Sequence, residues 1–227
     1  GEFQLGTLLY DTPKWPVGLS RGEILQHVGI FGRSGSGKTN AAFYLLHQLS
    51  GKGVPVLLLD WKRNGRDLLP HLKDVRVFTP GRSLAPFPFN PLAVPPGIEP
   101  GVYANHVVDL LADAYTLGDG ARSILQKALR EAYASEEAAP GVQDVLRRIS
   151  AFPGKERVQN WKISAVRALE TLEATLASGC EDLSHDEAVQ ALLHGTTIIE
   201  LDSLPSNTKR FLIPLLCFWL YSLKLAS

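Results

Sequence analysis

The chain contains the stretch Gly32-Arg33-Ser34-Gly35-Ser36-Gly37-Lys38-Thr39, which matches the pattern G-x-x-x-x-G-K-[ST] at every position. Residues 26–31 before it predict a short buried strand, and residues 40–49 after it predict a helix. A strand, a glycine-rich loop and a helix in this order are the context of a phosphate-binding loop. A glycine-rich turn that merely opens an ordinary helix is the weaker explanation, because every loop position and both flanks agree with the motif.

This loop predicts a site for a nucleoside triphosphate. Its glycines let the backbone curl so that successive N–H groups point at phosphate oxygens, and the helix N-terminus adds partial positive charge. The Lys38 ammonium is expected to reach the β- and γ-phosphates, and the Thr39 hydroxyl to bind Mg²⁺. The predicted nucleotide-binding residues are Gly32, Arg33, Ser34, Gly35, Ser36, Gly37, Lys38 and Thr39.

Composition sets the size and the charge of the molecule. The 227 residues suffice for one large α/β domain or two small ones. Basic and acidic residues number 23 each, so no whole-surface attraction to nucleic acid is indicated, although a local basic strip is compatible with zero net charge. Cys180 and Cys217 lie far apart without C-x-x-C spacing. They predict a reducing compartment and two small buried hydrophobic side chains.

No segment of the chain predicts an association with the membrane. Residues 211–221 form the most apolar stretch, but it is shorter than a bilayer span and contains Pro214. It predicts a core helix, and we expect a cytoplasmic protein without a signal peptide. The chain has no methionine, and its two ends, residues 1–3 and 224–227, resemble translated cloning sites. We therefore expect an engineered fragment with cut ends.

The remaining pattern alternates strands with helices. Apolar runs at 54–60, 75–79 and 196–202 predict strands, and their alternation with helical segments predicts a parallel sheet. Residues 86–97 contain five prolines and predict an ordered loop that packs on the body. The predicted helices are 102–116, 121–135, 140–150, 159–178, 184–193 and a final helix from 205 onward, kinked or restarted at Pro214.

Several subclasses of phosphate-binding-loop proteins are excluded by missing motifs. The Asn-Lys-x-Asp motif of GTPases and the Leu-Ser-Gly-Gly signature of ABC ATPases are absent. Small-molecule kinases usually carry the loop close to their start, whereas about thirty residues precede it here. Four other marks are present in order: residues 25–32, the D-x-K of Asp60-Trp61-Lys62, Asn90-Pro91-Leu92, and residues 198–204 before a leucine-rich helix.

This succession of marks resembles the FtsK–HerA superfamily of DNA-pumping P-loop ATPases. It is most similar to the HerA-type helicase and translocase branch and its conjugative relatives, over residues 22–96 and 184–224. The resemblance implies an α/β fold with a RecA-like, mainly parallel sheet flanked by helices. Residues 1–227 would be one RecA-like ATPase domain, with residues 98–194 as a helical insertion.

The resemblance also implies an activity and partners. Members use ATP and Mg²⁺, assemble as homo-hexamers and move along double-stranded DNA, and a nuclease or other DNA-processing partner is compatible with this. Their catalytic carboxylates lie on a later strand that ends Glu-Glu-Ala-His or similar, which this sequence lacks. We therefore expect a domain truncated before the Walker B strand, with weak or no hydrolysis. We also expect a monomer, in which a stripe of the last helix is buried against the sheet: Leu212, Leu215, Leu216 and Trp219.

Three carboxylates follow predicted strands and are candidates for work on a bound nucleotide. Asp60, Glu200 and Asp202 could each bind Mg²⁺ through water or orient an attacking water. With Lys38, we take Glu200 and Asp60 as the catalytic candidates. By the family pattern Glu200 would act indirectly, and Asp60 would lie on a sheet-edge strand at the surface. Capping of a helix start or turn explains each carboxylate about equally well.

Other charged residues carry weaker signals. Arg33, Lys62, Arg63 and Arg66 could bind phosphates of nucleotide or DNA, but a solvated face is the commoner explanation for scattered charge. Two further functions stay open beside a double-stranded DNA motor. One is a conjugation or secretion ATPase that moves single-stranded DNA or protein, and the other is a nucleotide-binding module without turnover.

Overall fold

The computed structural model describes residues 1–10, 12–135, 139–176 and 184–226. The chain divides into two compact units. The first comprises Gly1–Phe78 with Val189–Asp202, and the second comprises Thr79–Ala188 with Ser203–Ser227. The predicted burial of Cys180 falls outside the described residues. Reading residues 1–227 as a single domain with a helical insertion at 98–194 stays a prediction.

The first unit contains two sheets with short and long helices around them. Its elements are β1 Phe3–Thr7, β2 Pro16–Leu19, α1 Arg21–Ile24, α2 Lys38–Gly51, β3 Val56–Asp60, a 3₁₀ helix Asn64–His71, β4 Val75–Phe78 and β5 Thr196–Glu200.

The larger sheet has three parallel strands in the order β3-β5-β4. The central strand β5 is buried throughout, as its uninterrupted apolar and threonine sequence requires for a strand covered on both faces. The pairing places Leu58 opposite Ile198 and Asp60 opposite Glu200. The predicted strands at 54–60, 75–79 and 196–202 and their parallel arrangement are thus confirmed.

The predicted strand at residues 26–31 is wrong. These residues form no ladder with any described strand, and Phe31 is 93% exposed. His27 adopts a left-handed backbone conformation with φ of 71°, which interrupts an extended segment. No ladder joins this segment to the described strands, which pair β1 with β2 and β5 with β3 and β4.

The antiparallel pair β1–β2 was not anticipated from the sequence. It is joined to α2 by a double hydrogen bond between Gln4 and Gln48. The Gln4 N–H donates to Gln48 Oε1 at 2.7 Å, and Gln48 Nε2 donates to the Gln4 carbonyl at 2.8 Å. The hairpin therefore covers part of the helix that follows the glycine-rich loop.

The second unit is helical. Its helices are α3 Pro100–Tyr115, α4 Asp119–Ser135, α5 Val142–Ala151, α6 Glu156–Leu176, the start of α7 His185–Leu193, and α8 Ser206–Ala226. All six helices were predicted. Helix α8 continues through Pro214 without a break, so the predicted restart does not occur. Burial of Leu212 and Leu215 on either side of the proline favours one continuous helix over the local cost of the missing N–H.

The predicted apolar stripe of α8 is buried, and its predicted packing against the sheet stays a prediction. Leu212, Leu215, Leu216 and Trp219 are each at most 4% exposed, and within the second unit α8 packs against α3 and α6. Trp219 Nε1 also donates to the Ala93 carbonyl at 2.9 Å, which attaches the proline-rich loop.

Two further expectations for this region can be judged from the structure. Cys217 is exposed, which corrects its predicted burial. No described helix is long and apolar enough to cross a bilayer.

Candidate functional site

The backbone of the glycine-rich loop requires glycine at two positions, and space for a side chain is short at a third. Gly35 and Gly37 have φ of 76° and 84°, a region that side chains other than glycine rarely adopt. A Cβ on Gly32 would lie 2.6 Å from Ser36 Oγ, too close for any real contact. The curled form of the loop therefore depends on these glycines, because a larger residue would strain the backbone at Gly35 and Gly37.

Helix α2 begins directly after this loop and has a bare N-terminus. Gly37 is its N-cap, no side chain caps it, and its first turn contains no acidic residue. N–H groups and the positive end of the helix dipole at such a terminus favour an anion. The Lys38 ammonium donates to the Arg33 carbonyl at 2.6 Å, which uses one of its three donors. Two donors remain for a ligand, beside the exposed side chain of Thr39.

A second group of functional residues lies at the carboxyl ends of the strands. Asp60 ends β3 and Glu200 ends β5, and the two are paired in register. Asp202 follows two residues later. In open parallel sheets, ligands bind at this edge. The prediction that Asp60 and Glu200 lie at the ends of apolar strands agrees with the structure, and the register brings the two ends together.

Asp60 is engaged by the backbone that follows it. It is only 7% exposed, and its Oδ1 accepts from the Lys62 N–H at 3.0 Å while Oδ2 accepts from the Gly65 N–H at 2.6 Å. Strand β3 lies at an edge of the described sheet, as predicted. The predicted surface position of Asp60 is wrong, because its carboxylate turns inward and binds the N–H of Gly65 in the first turn of the 3₁₀ helix. Its catalytic role stays a prediction.

Glu200 is fully buried and bound to two arginines. Arg66 Nε donates to Oε1 at 2.5 Å and Nη2 donates to Oε2 at 2.9 Å. Arg63 Nε lies 3.3 Å from Oε2 and 4.0 Å from Asp202 Oδ2. The hydrogen bond to Glu200 raises the pKa of Arg66 above its usual value. The sequence analysis favoured a solvated face for Arg63 and Arg66. The structure differs, because their guanidinium groups form a network around the Glu200 carboxylate.

A crevice of about 360 Å³ connects the loop with the end of β3. Its polar wall brings together two of the eight predicted nucleotide-binding residues, Lys38 and Thr39, and one of the three candidate carboxylates, Asp60. Residues 32–37 are not among its lining residues, and its apolar wall includes an exposed tryptophan. Glu200 is not among the lining residues. The polar lining residues are Lys38, Thr39, Asp60, Lys62 and Asn64, and the apolar ones include Ile30, Phe43 and Trp61.

Asn64 and Trp61 are lining residues that the sequence analysis did not single out as site residues. The signal was present in the D-x-K segment, because residues just after a carboxylate at the end of a parallel strand share the ligand edge of the sheet. Their place in the same crevice as Lys38 and Thr39 depends on the tertiary fold, which no local pattern indicated.

The oxygen ligands of the crevice suit a magnesium ion that arrives with a nucleotide. In the described ranges, no three His, Cys, Asp or Glu side chains are grouped so as to hold a metal ion. The crevice offers the Thr39 hydroxyl and one carboxylate, Asp60. Mg²⁺ is commonly held by one or two protein oxygens together with phosphate oxygens and water. These residues therefore fit the predicted Thr39 site.

Comparison with known proteins agrees with the fold and the loop. The family model for the central domain of the helicase HerA matches residues 3–218. The structure of VirB4 from Thermoanaerobacter pseudethanolicus superposes with a TM-score of 0.60 at 16% identity, covering 97% of this chain and 63% of that chain. At this identity the likeness shows the fold alone, and the chain spans less than two thirds of the VirB4 chain. No curated protein sequence matches the chain significantly.

The α/β fold with a parallel sheet flanked by helices is confirmed by the VirB4 likeness, and the resemblance seen in the sequence motifs is confirmed by the family match. The match covers nearly the whole chain, including the glycine-rich loop, β3, β5 and most of α8. The chain belongs to the family of the helicase HerA central domain, which consists of P-loop ATPases of the FtsK–HerA superfamily.

Proposed function

We propose that this chain binds ATP with Mg²⁺ in the crevice between residues 32–39 and the end of β3. It would be the nucleotide-binding core of a DNA helicase or translocase that couples ATP hydrolysis to movement along double-stranded DNA. The observation that carries the proposal is the shared lining of this crevice by Lys38, Thr39 and Asp60. Membership in the HerA family supports the coupling to DNA.

The chemistry at this site would rest on positioning and charge neutralisation. Loop N–H groups and the Lys38 ammonium would bind phosphate oxygens, and the Thr39 hydroxyl would hold Mg²⁺, which neutralises charge on the phosphates. Asp60 already accepts two backbone hydrogen bonds, but each carboxylate oxygen has a further lone pair for a water molecule. Glu200, bound by two arginines, would fix the backbone beside the site.

The rate of hydrolysis by this chain alone is expected to be low. Asp60 is the carboxylate that lines the crevice, and its two oxygens are turned toward the Lys62 and Gly65 amides. These hydrogen bonds favour a structural role for the Asp60 carboxylate over the activation of a water molecule. An arginine supplied by a neighbouring subunit would further raise the rate in an assembled ring.

We extend the proposal to the assembly. A protein built around this domain would form a homo-hexamer in the cytoplasm, with a nuclease or another DNA-processing protein as a compatible partner. The present chain would be a monomer, because the apolar stripe of α8 is already buried within the helical unit. Light scattering checks this, and a stable hexamer would contradict the monomer.

A second function remains in view, a conjugation or secretion ATPase that moves single-stranded DNA or protein. The shared fold with VirB4 is the observation that favours keeping it. A nucleotide-binding role without turnover is the third outcome.

ATPase assays on the full-length protein separate these functions. Stimulation by duplex DNA, with a smaller effect of single-stranded DNA of the same sequence, supports the double-stranded motor. Stimulation by single-stranded DNA alone supports the conjugation type. ATP binding without turnover on either DNA supports the binding module. Absence of ATP binding overturns the proposal.

A further inference from the structure

We propose that Lys62 is a second cation of the triphosphate site and that it distinguishes ATP from ADP by binding the terminal phosphate. This inference rests on the proposed ATP site and adds a specificity-determining residue to it.

Lys62 follows the end of β3, so it reaches the crevice from a different segment of the chain than the loop does. Its side chain is exposed and lines the same crevice as Lys38 and Thr39. No residue in the described part of the chain is paired with its ammonium. Arg63 and Arg66, its neighbours in sequence, are instead committed to Glu200. Of these three cations, Lys62 is therefore the one whose charge is available to the crevice.

The backbone that carries Lys62 is fixed from two sides. Asp60 accepts hydrogen bonds from the N–H groups of Lys62 and Gly65, and Arg66 binds the buried Glu200 with two hydrogen bonds. Gly65 is packed so closely that a Cβ there would lie 2.9 Å from Asp60 Oδ2 and from Leu58 Cδ2. The start of the Lys62 side chain is thus held in place, while its four-carbon stem remains free to reach a ligand.

The position of Lys62 in a separate segment of the crevice lining favours the last phosphate of the nucleotide. The loop amides, the α2 N-terminus and Lys38 belong to one contiguous segment of the chain. Lys62 comes from the segment after β3, and we assign it to the terminal phosphate of a nucleotide anchored at the loop. ATP places one more charged group there than ADP does. A charge-assisted contact to that group would strengthen ATP binding and leave ADP binding nearly unchanged.

The test measures the ratio of ADP to ATP dissociation constants in the presence of Mg²⁺. Trp61, which lines the crevice and is 56% exposed, serves as an energy-transfer donor to fluorescent methylanthraniloyl ATP and ADP, and calorimetry with unlabelled nucleotides checks the values. Lys62→Ala should weaken ATP binding about tenfold and ADP binding less than about twofold. Lys62→Gln serves as a second variant if the alanine variant folds poorly. Lys73→Ala, at an exposed lysine that lines a different crevice of the same unit, is the matched control and should change neither constant.

Each outcome has a defined meaning. Equal losses for ATP and ADP, or no loss for either, overturn the assignment of Lys62 while leaving the ATP site intact, provided Lys38→Ala still weakens ATP binding about 10- to 100-fold. If Lys62→Ala leaves the ATP and ADP dissociation constants unchanged but weakens binding to duplex DNA, Lys62 contacts DNA instead. This result also overturns the inference. Failure of the unsubstituted chain to bind either nucleotide overturns both the inference and the proposed function.

Discussion

Arg66 binds Glu200 with two nearly parallel hydrogen bonds, from Nε to Oε1 at 2.5 Å and from Nη2 to Oε2 at 2.9 Å. The two residues are 134 positions apart in the chain. The contact joins the 3₁₀ helix that follows β3 to the carboxyl end of β5. A bidentate arginine–carboxylate pair has a defined geometry as well as a charge interaction. It therefore holds the segment that lines the candidate nucleotide crevice in one position.

Removing the charge of Glu200 should destabilise the first unit. Glu200→Gln leaves Arg63 and Arg66 without their buried counter-charge, and we expect a loss of about 2 kcal/mol in the free energy of unfolding. The matched control is Glu2→Gln, whose surface pair with Lys52 spans 3.8 Å, and it should change stability by less than about 0.5 kcal/mol. Urea denaturation measures both. Equal effects of the two substitutions would contradict the role given to the buried pair.

A methyl group at Gly65 should disturb both stability and the crevice. In Gly65→Ala, the new Cβ would lie 2.9 Å from Asp60 Oδ2 and 3.1 Å from Ile198 Cγ2. We expect a destabilisation of about 1–3 kcal/mol from this overpacking, together with weaker nucleotide binding. Gly51→Ala at the end of α2 is the control, because a Cβ there meets nothing within 4 Å. If the two variants have the same melting temperature, the close packing around Asp60 is not important.

Most helices and the glycine-rich loop could be predicted from the sequence, because interactions between residues close in the chain determine them. The glycine-rich loop, helix α2 and the six later helices follow from spacing and capping, which nearby residues determine. Residues 26–31 failed as a strand because a strand also needs a hydrogen-bonding neighbour, and the left-handed His27 interrupts the extended backbone. The hairpin β1–β2 was missed because its strands are short and mostly exposed, without a clear alternation of apolar residues.

Only the part of the candidate site that lies within one short segment could be predicted from the sequence. Lys38 and Thr39 belong to one contiguous motif, so their neighbourhood could be predicted. The ion-pair network of Glu200 joins distant segments, and no local pattern could assign its partners. Asp60 was expected at the surface, yet two backbone N–H groups draw it inward. Asp60 therefore caps a turn, which was the alternative explanation considered for this carboxylate.

Acid should destabilise the helical unit through His185. Burial lowers the pKa of His185 below its usual value of about 6.5, while Asp186 opposes this shift. Its Nδ1 accepts from the Asn90 N–H at 3.1 Å, which requires the unprotonated ring. Because the unfolded state binds the proton more readily, this contribution is complete above about pH 6.5 and is lost as the pH falls toward the lower pKa of the folded state.

The pH dependence of unfolding measures this contribution. His185→Asn keeps an acceptor that does not titrate, so its stability should fall less than that of the parent between pH 7.5 and 5.5. The slope attributable to one histidine is at most about 1.4 kcal/mol per pH unit. His71→Asn, at an exposed histidine of the other unit, is the control. Identical slopes for the parent and His185→Asn would rule out this group as the source.

The hydroxyl of Thr39 should govern the magnesium dependence of ATP binding. Thr39→Ala removes the oxygen that the crevice offers from α2, so the Mg²⁺ concentration needed for tight ATP binding should rise several-fold. Thr39→Ser keeps the hydroxyl and should behave like the parent. A titration of Mg²⁺ at fixed ATP checks this. Overlapping curves for the alanine and serine variants would remove Thr39 from the metal site.

ATP binding by the parent and by Lys38→Ala, measured by calorimetry with Mg²⁺, is the most direct measurement of the proposed site. Lys38 lines the crevice and has two donors beyond its bond to the Arg33 carbonyl, so its loss should weaken ATP binding about 10- to 100-fold. Lys52→Ala, at the opposite end of α2, should bind ATP like the parent. Equal ATP affinity of Lys38→Ala and the parent would contradict a nucleotide site at this loop.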